Sequence, residues 1–285
     1  MRENPDALGL ARLARHERVA AAADRLPPAL DRFIRPRRYR ARQLVEAALD
    51  DPSLLARFER GDPLPPRYGV GLDERVVEYP WLVSRGLRGR TLDAGSVLNH
   101  RGILTRVRPL LDELHIVTLV PERRSYPKLG VSYAYADLRD LPYPDGRFDT
   151  VVCVSTLEHV GMDNSGYGSG TARSEDPRRE VESAVRELRR VVAPGGRLLV
   201  TVPFGDPEDL GWLRQFTGED VQALVDLVAS ARAATTFFTY TREGWQVGDP
   251  AAAAGARYRM PATEPEPEDL ASRARAVACL ELATG

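Results

Sequence analysis

Apolar runs of strand length recur along the chain from residue 90 onward. Seven of them predict β-strands, at residues 90–94, 115–120, 131–136, 148–154, 196–204, 234–241 and 275–282. Most are apolar almost throughout rather than at alternate positions, which is typical of parallel strands that are buried on both faces. The last two have no obvious helix between them and are expected to pair antiparallel. The pattern predicts an α/β fold with a doubly wound, mostly parallel sheet and an antiparallel last strand.

Local signals bound the helices between these strands. Asp176 and Pro177 supply an N-cap and a first-turn proline, and this helix is expected to end at APGG, residues 193–196. Thr217 and Asp220 have the spacing of a capping box, which predicts a second helix start.

The first part of the chain has a different pattern. Polar and apolar positions over residues 5–58 follow helical spacing and are broken by prolines, which predicts three or four short helices. Residues 73–86 are also expected to be helical, with an interruption near Pro80. We therefore predict a helical N-terminal extension over residues 1–70 and one large domain over residues 71–285.

Composition excludes several classes of protein. The net charge of −1 provides no overall positive field to attract nucleic acid. No apolar run approaches the roughly 20 residues that span a bilayer, and the charged N-terminus is unlike a secretory signal. Both cysteines lie in apolar runs, which indicates buried thiols, so a cytoplasmic location is expected. Lys128 is the only lysine, and no phosphate-binding glycine loop ends in lysine.

The stretch LDAGSVLN, residues 92–99, carries the first candidate chemistry. A strand ends there in Asp93 and Gly95, as in nucleotide-binding strand–turn–helix units, but Val97 and Asn99 stand where two further glycines are usual. Two interpretations stay open on these residues alone. The stretch is a cofactor loop with altered contacts, or it is a plain connection in the sheet.

Three segments in this order resemble the class I S-adenosylmethionine-dependent methyltransferases. They are LDAG (92–95), ADLRDLPYPDGRFDTVVCVSTLEHVG (136–161) and ELRRVVAPGGRLLVTVPFG (187–205). The resemblance runs from about Gly71 to the C-terminus, and it implies a Rossmann-like fold, S-adenosylmethionine as cofactor and methyl transfer as the reaction. GVGLDERVVEYPWLVSRG, followed by LDAGSVLNH, is also similar to methyltransferases of bacterial polysaccharide and secondary-metabolite gene clusters.

The resemblance also implies which residues bind the cofactor. Gly95 would let the backbone approach the methionine part, because it has no Cβ. Val120 stands where the family places a ribose-binding acid, so Glu122, two residues on, either substitutes for that acid or is a solvated loop charge. Asp137 matches the family's acid near the adenine amine. The implied cofactor-binding residues are Asp93, Gly95, Ser96, Asn99, Glu122, Asp137, Leu138 and Ser155.

The segment after the fourth strand indicates the methyl acceptor. It has neither the Asn/Asp-Pro-Pro-Tyr pattern of amino-methylating enzymes nor the Pro-Cys nucleophile of cytosine carbon methylases. A small molecule with a hydroxyl or carboxylate oxygen is therefore expected as acceptor. Glu158, His159 and Asp163 are the candidate catalytic residues there. His159 suits a general base, or it is a structural histidine bonded to a backbone carbonyl.

Two further features of this segment bear on the site. Asp163 and the asparagine after it have oxygen atoms that suit a divalent cation, but loop capping is the preferred interpretation, so no metal site is predicted. The glycines between residues 161 and 170 predict a pliable lid over the substrate.

Two alternatives to a methyltransferase remain. The altered glycine loop and Val120 keep open a catalytically silent scaffold or regulatory protein of the same fold. A nicotinamide-dependent oxidoreductase is disfavoured, because a single lysine, Lys128, forms no Tyr-x-x-x-Lys pair. The basic run RPRRYRAR, residues 35–42, is interpreted as a solvated helix face or a subunit contact, which leaves a homodimer open.

Overall fold

The computed structural model of the protein describes residues 36–122, 124–165, 172–259 and 273–285. The helices expected before residue 36 and residues 166–170 of the predicted glycine-rich lid lie outside the described residues.

Seven α-helices occur in the described part of the chain. Several begin at the expected signals: Thr217 and Asp220 form the predicted capping box, and the Asp176 side chain accepts a hydrogen bond from the Arg179 backbone amide. The helices are α1 (Pro36–Leu49), α2 (Pro52–Arg60), α3 (Arg75–Ser84), α4 (Arg101–Val107), α5 (Pro177–Val191), α6 (Gly218–Val228) and α7 (Pro250–Ala253).

Eight strands form one sheet in the described residues. They are β1 (Arg90–Ala94), β2 (Glu113–Thr118), β3 (Val131–Tyr135), β4 (Phe148–Val154), β5 (Val192–Pro203), β6 (Arg232–Thr241), β7 (Gly244–Gly248) and β8 (Ala276–Ala283). Their order across the sheet is β3-β2-β1-β4-β5-β8-β6-β7. The first five strands pair in parallel, whereas β8 is antiparallel to both β5 and β6, so the predicted mixed sheet is confirmed.

Helices cover both faces of this sheet. Val152 and Val154 of β4 pack into a core with α1 to α4, whereas Val151 and Cys153 of the same strand pack into a second core with α5 and α6. Successive strand residues point to opposite faces, so a strand between two cores must be apolar at every position. This arrangement explains the continuous apolar runs and confirms the doubly wound fold.

The helices α1 and α2 belong to the first of these cores. Phe58 of α2 is fully buried, and its ring centroid lies 5.9 Å from that of Tyr68 and 5.5 Å from that of Phe238 in β6. Leu64, between α2 and α3, is also buried, at 4% exposure. The division at residue 70 into an extension and a domain stays a prediction.

Two expectations about element boundaries were wrong, and one strand was not predicted. The helix α5 ends at Val191, and APGG lies inside β5, because Val192 already pairs with Phe148 of β4 across an irregularity in the ladder. The helix α3 continues through Pro80 to Ser84, with the proline itself buried. The strand β7 was not predicted; it pairs antiparallel with β6.

No helix among the described residues has both the length and the apolar character that a membrane crossing requires.

Candidate functional site

The carboxyl ends of β1 and β4 form the centre of the candidate site. These two strands are neighbours in the sheet, and the chain leaves β1 toward β2 on one side and returns to β4 on the other. Ligands of doubly wound sheets bind in the crevice at such a reversal of strand order. The structure places Asp93 and Gly95 at the end of β1 and Ser155 at the end of β4, as expected from the sequence.

Asp93 organises the loop that follows β1. Its carboxylate is fully buried and accepts hydrogen bonds from the backbone amides of Val97 (3.2 Å) and Leu98 (2.8 Å). Burial raises the pKa of Asp93 to about 7, although both of these hydrogen bonds lower it. The buried Asp93 carboxyl therefore stabilises the conformation of this loop through its two backbone hydrogen bonds.

The two residues after Ala94 have left-handed backbone conformations. Gly95 has a φ of 113°, and a Cβ there would lie 2.0 Å from Oγ1 of Thr156, in the loop after β4. Ser96 has a φ of 70°, is 6% exposed, and its Oγ has no hydrogen-bond partner among the described residues. The loop is thus tightly packed against β4 and contains an unsatisfied hydroxyl.

Asn99 and Glu122, both predicted to contact the cofactor, are brought together by the fold. The Asn99 side-chain amide donates to a Glu122 carboxylate oxygen (2.6 Å) and to the Arg124 carbonyl (2.9 Å). The Tyr133 hydroxyl donates to the Asn99 Oδ1 atom at 2.8 Å. Asn99 therefore links the loops after β1 and β2 to β3, while Glu122 is exposed at the rim.

Asp137, expected near the adenine amine, makes a two-point ion pair with Arg139. The Nε atom of Arg139 donates to one oxygen at 2.9 Å and Nη2 to the other at 2.6 Å, and Nη1 contacts Glu180 of α5 at 2.5 Å. Burial raises the pKa of Asp137, but its hydrogen bonds with Arg139 outweigh this effect and lower it overall. The neighbouring Leu138 is buried at 8% exposure in the second core.

The helix α3 contributes site residues that we did not predict. Glu78 is fully buried, and one of its oxygens accepts hydrogen bonds from Ser155 Oγ (2.5 Å) and from Thr201 Oγ1 of β5 (2.6 Å). Its other oxygen lies 2.6 Å from Nη1 of Arg75. Glu74, which precedes the helix, is 5% exposed, and its Oε2 has no hydrogen-bond partner in the described structure. A cluster of charged residues inside an otherwise apolar helix was the signal that could have identified them.

Glu158 and His159 lie in a single 3-10 turn directly after β4. His159 Nδ1 donates to the Trp212 carbonyl oxygen at 2.9 Å, and the two rings stack with centroids 5.1 Å apart. Because a carbonyl only accepts, the neutral ring keeps its lone pair on Nε2, which lies 3.9 Å from Glu158 Oε1. Burial raises the pKa of Glu158 to about 8 and lowers the pKa of His159 to about 4. Both groups are therefore neutral near pH 7.

Asp163, the third candidate catalytic residue, caps a turn. Its Oδ1 accepts a hydrogen bond from the Ser165 backbone amide at 2.9 Å. Its backbone amide donates to the Gly211 carbonyl at 3.0 Å. In the described residues no group of three or more metal-binding side chains is present.

Comparison with known proteins bears on what the crevice binds. Residues 114–200 match the family described as Methyltransferase domain. Residues 114–200 therefore belong to a class I S-adenosylmethionine-dependent methyltransferase domain. The match covers the segment from β2 to β5, which includes the β4 loop with Glu158 and His159.

The methyltransferase domain also has individual relatives. A 103-residue stretch of this chain is 34% identical to the 27-O-demethylrifamycin SV methyltransferase of Amycolatopsis mediterranei (strain S699). The aligned stretch covers 34% of this chain and 31% of that protein. The chain thus matches about a third of the length of that relative. Among solved structures, N-methyltransferase NodS from Bradyrhizobium japonicum WM9 in complex with S-adenosyl-L-homocysteine has a TM-score of 0.40 at 11% identity, covering 86% of this chain and 98% of that one. The YcgJ protein from Bacillus subtilis has a TM-score of 0.41 at 16% identity, covering 68% of this chain and 91% of that one.

The residues of the methyltransferase domain fit S-adenosylmethionine, its cofactor. The absence of a Cβ at Gly95 keeps the loops after β1 and β4 in close contact at the crevice. Ser96 Oγ is a buried polar atom without a protein partner, and the site also contains charged groups of both signs, Arg75 and Glu74. A ligand with a sulfonium, an ammonium and a carboxylate requires both signs of charge.

The raised pKa of Glu158 has a consequence for the stability of the domain. A carboxyl whose pKa rises from 4.5 to about 8 on folding stabilises the fold below pH 4.5 and loses that contribution as the pH rises toward 8. We expect Glu158→Gln to remove this loss, so that the variant gains stability relative to wild type as the pH is raised from 5 to 8. The slope that it removes is at most about 1.4 kcal/mol per pH unit.

Urea denaturation at several pH values measures this difference, and titration of His159 is common to both proteins and cancels. Glu182→Gln, on the exposed face of α5, is the matched control and should leave the pH dependence unchanged. An equal pH dependence in wild type and Glu158→Gln would show that Glu158 ionises normally in the folded protein.

Proposed function

We propose that this protein transfers a methyl group from S-adenosylmethionine to an oxygen atom of a small-molecule acceptor, a natural product or a sugar. The observation that carries the proposal is the Glu158–His159 pair at the end of β4, beside the crevice. The bound cofactor supplies an electrophilic methyl group on a sulfonium sulfur. The protein must then align the acceptor with that methyl group and remove the acceptor's proton.

His159 is the proposed general base. Its ring is fixed by the hydrogen bond from Nδ1 to the Trp212 carbonyl, which leaves Nε2 as the atom that takes the proton. The imidazolium that forms has the Glu158 carboxyl beside it, with Oε1 3.9 Å from Nε2, and this acidic group is placed to stabilise the positive charge. Such a pair suits a hydroxyl acceptor, because a carboxylate acceptor has no proton to remove.

Aromatic rings indicate the shape of the acceptor. Trp212 lies between His159 and Tyr258, with ring centroids 5.1 Å and 6.4 Å away, and its buried Nε1 has no hydrogen-bond partner among the described residues. An indole face with an unsatisfied N–H suits a ligand that combines apolar surface with oxygen acceptors, as polyketides and sugars do. The relative from Amycolatopsis mediterranei is named for methyl transfer to one such small molecule, 27-O-demethylrifamycin SV.

The test combines binding and turnover. Titration calorimetry of the purified protein with S-adenosylhomocysteine is expected to show one site per chain. Release of S-adenosylhomocysteine from S-adenosylmethionine is then measured with 27-O-demethylrifamycin SV and with a panel of hydroxylated polyketides and sugars. Turnover with hydroxylated acceptors and none with their O-methylated forms would support the proposal.

The alternative is a catalytically silent scaffold or regulatory protein, which the altered glycine loop and Val120 keep open. No binding heat with either cofactor form at millimolar concentration would support that alternative and contradict the enzyme. Binding without turnover on any hydroxylated acceptor would contradict the proposed reaction.

A further inference from the structure

Arg75 is the first residue of α3 and is fixed by Glu78. Its Nη1 donates to the Glu78 carboxylate at 2.6 Å, and that carboxylate is fully buried and bonded to hydroxyls at the ends of β4 and in β5. One helical turn further, the Tyr79 hydroxyl donates to the Val97 carbonyl in the loop after β1 at 2.7 Å. The start of α3 is therefore anchored to both sides of the crevice.

These links place the Arg75 side chain near both strand ends. Burial raises the pKa of Asp93 at the end of β1 and of Glu158 after β4, and Arg75 opposes this rise at both carboxyls. The strand order reverses at this point, and Gly95 allows the loop after β1 to approach β4 closely.

Most of the hydrogen-bonding capacity of Arg75 is unused. A guanidinium has five N–H donors, and in the described structure Arg75 makes one side-chain hydrogen bond, the one to Glu78. Its side chain is 30% exposed, so part of it remains accessible to a ligand. An arginine fixed by a buried carboxylate on one side presents a preoriented fork for a second carboxylate.

Glu74, the residue before Arg75, has the opposite requirement. It is 5% exposed and its Oε2 lacks a hydrogen-bond partner among the described residues. Arg75 and Arg273 lower its pKa, while burial and the carboxylates of Asp73 and Glu78 raise it, burial most strongly. A buried carboxyl with an unsatisfied oxygen is stabilised by a cationic donor. Glu74 and Arg75, which are adjacent in the chain, therefore complement ligand groups of opposite charge.

We propose that Glu74 and Arg75 form a clamp for the amino-acid part of the cofactor, in which Arg75 binds the α-carboxylate and Glu74 binds the α-ammonium. The clamp rests on the proposed function for the identity of the ligand, and it deepens that function by assigning the two charges. It also gives α3 a role in the site. By fixing the methionyl end, the helix sets the direction in which the reactive methyl group points.

Three ligands that differ only in the amino-acid part test the clamp by calorimetry. S-adenosylhomocysteine has both charges, S-adenosyl-3-thiopropylamine keeps the amine without the carboxylate, and 5′-methylthioadenosine has neither. Arg75→Gln is expected to weaken S-adenosylhomocysteine about 10- to 100-fold and to leave the other two ligands within about twofold, since one charge-assisted contact is lost. Glu74→Gln should weaken both amine-containing ligands and leave 5′-methylthioadenosine unchanged.

Arg90→Gln is the matched control, because Arg90 pairs with Asp149 at the opposite end of β1. It should leave all three affinities unchanged. If Arg75→Gln fails to fold because Glu78 loses its partner, combining it with Glu78→Gln removes both charges, and the same ligand pattern is expected. An equal loss for all three ligands, or no loss for S-adenosylhomocysteine, would overturn the clamp. A wild-type protein that binds none of them would overturn the cofactor assignment as well.

Discussion

Replacing His159 with alanine is expected to lower turnover about 10²–10⁴-fold, the usual contribution of a general base, with little change in affinity for the cofactor. The reason is geometric. Nε2 is the basic atom of a ring fixed against Trp212, so its loss leaves the acceptor hydroxyl without a proton acceptor at the crevice. Initial rates of S-adenosylhomocysteine release, with calorimetry for cofactor affinity, separate the two effects.

The pH dependence sharpens this test. Burial lowers the pKa of His159 to about 4, so the free enzyme should lose activity only as the pH falls toward 4, rather than near 6.5. That acidic limb should disappear in the variant. His115→Ala is the control, because His115 is half-buried in β2 among the rings of Tyr143 and Phe148 and should change turnover by no more than about twofold. A fall of less than tenfold with an unchanged pH profile would assign the base to another residue and make His159 structural.

Phe58→Ala is expected to reduce the free energy of unfolding by about 3–5 kcal/mol, the usual cost of emptying a buried aromatic site. Phe58 is fully buried between Tyr68 and Phe238, so truncating its side chain leaves a cavity between α2 and the sheet. Urea denaturation followed by far-ultraviolet circular dichroism measures the loss, and a single transition in the wild type would show that α1 and α2 unfold with the domain.

The control for Phe58 is Leu110→Ala, since Leu110 is 53% exposed and should change stability by less than about 0.5 kcal/mol. The opposite result has a clear meaning. A loss below about 1 kcal/mol at Phe58, or a separate early transition, would indicate that the residues before 70 form an extension that folds independently of the sheet.

The site illustrates how far local sequence signals reach. Asp93 and Gly95 were located because an apolar strand ends there and a glycine follows, and both features are readable within five residues. The loop with Glu158 and His159 was located in the same way, at the end of β4. The hydrogen bonds of Asp137 with Arg139 were not foreseen, because a side-chain pairing within a turn depends on rotamers that sequence spacing does not define.

Glu74, Arg75 and Glu78 show the limit of such signals. Glu78 accepts a hydrogen bond from Thr201, which lies 123 positions later in the chain. No local sequence pattern at either residue indicates the other. Their contact depends on how α3 lies over the sheet, which packing of its apolar residues determines. Pro80 is a second example: a proline usually ends or kinks a helix, but α3 is buried on the sheet and continues through it.

The sequence by itself determined the order and type of most elements, although not β7, since strand and helix periods, caps and turn residues act over a few positions. It also determined the two cores, because a strand that is apolar at every position must be covered on both faces. Only the tertiary structure decided that α3 places an ion pair beside the crevice, that APGG belongs to β5, and that Phe58 packs on β6. Those outcomes depend on contacts between distant segments, whose energies exceed the local preferences that a sequence displays.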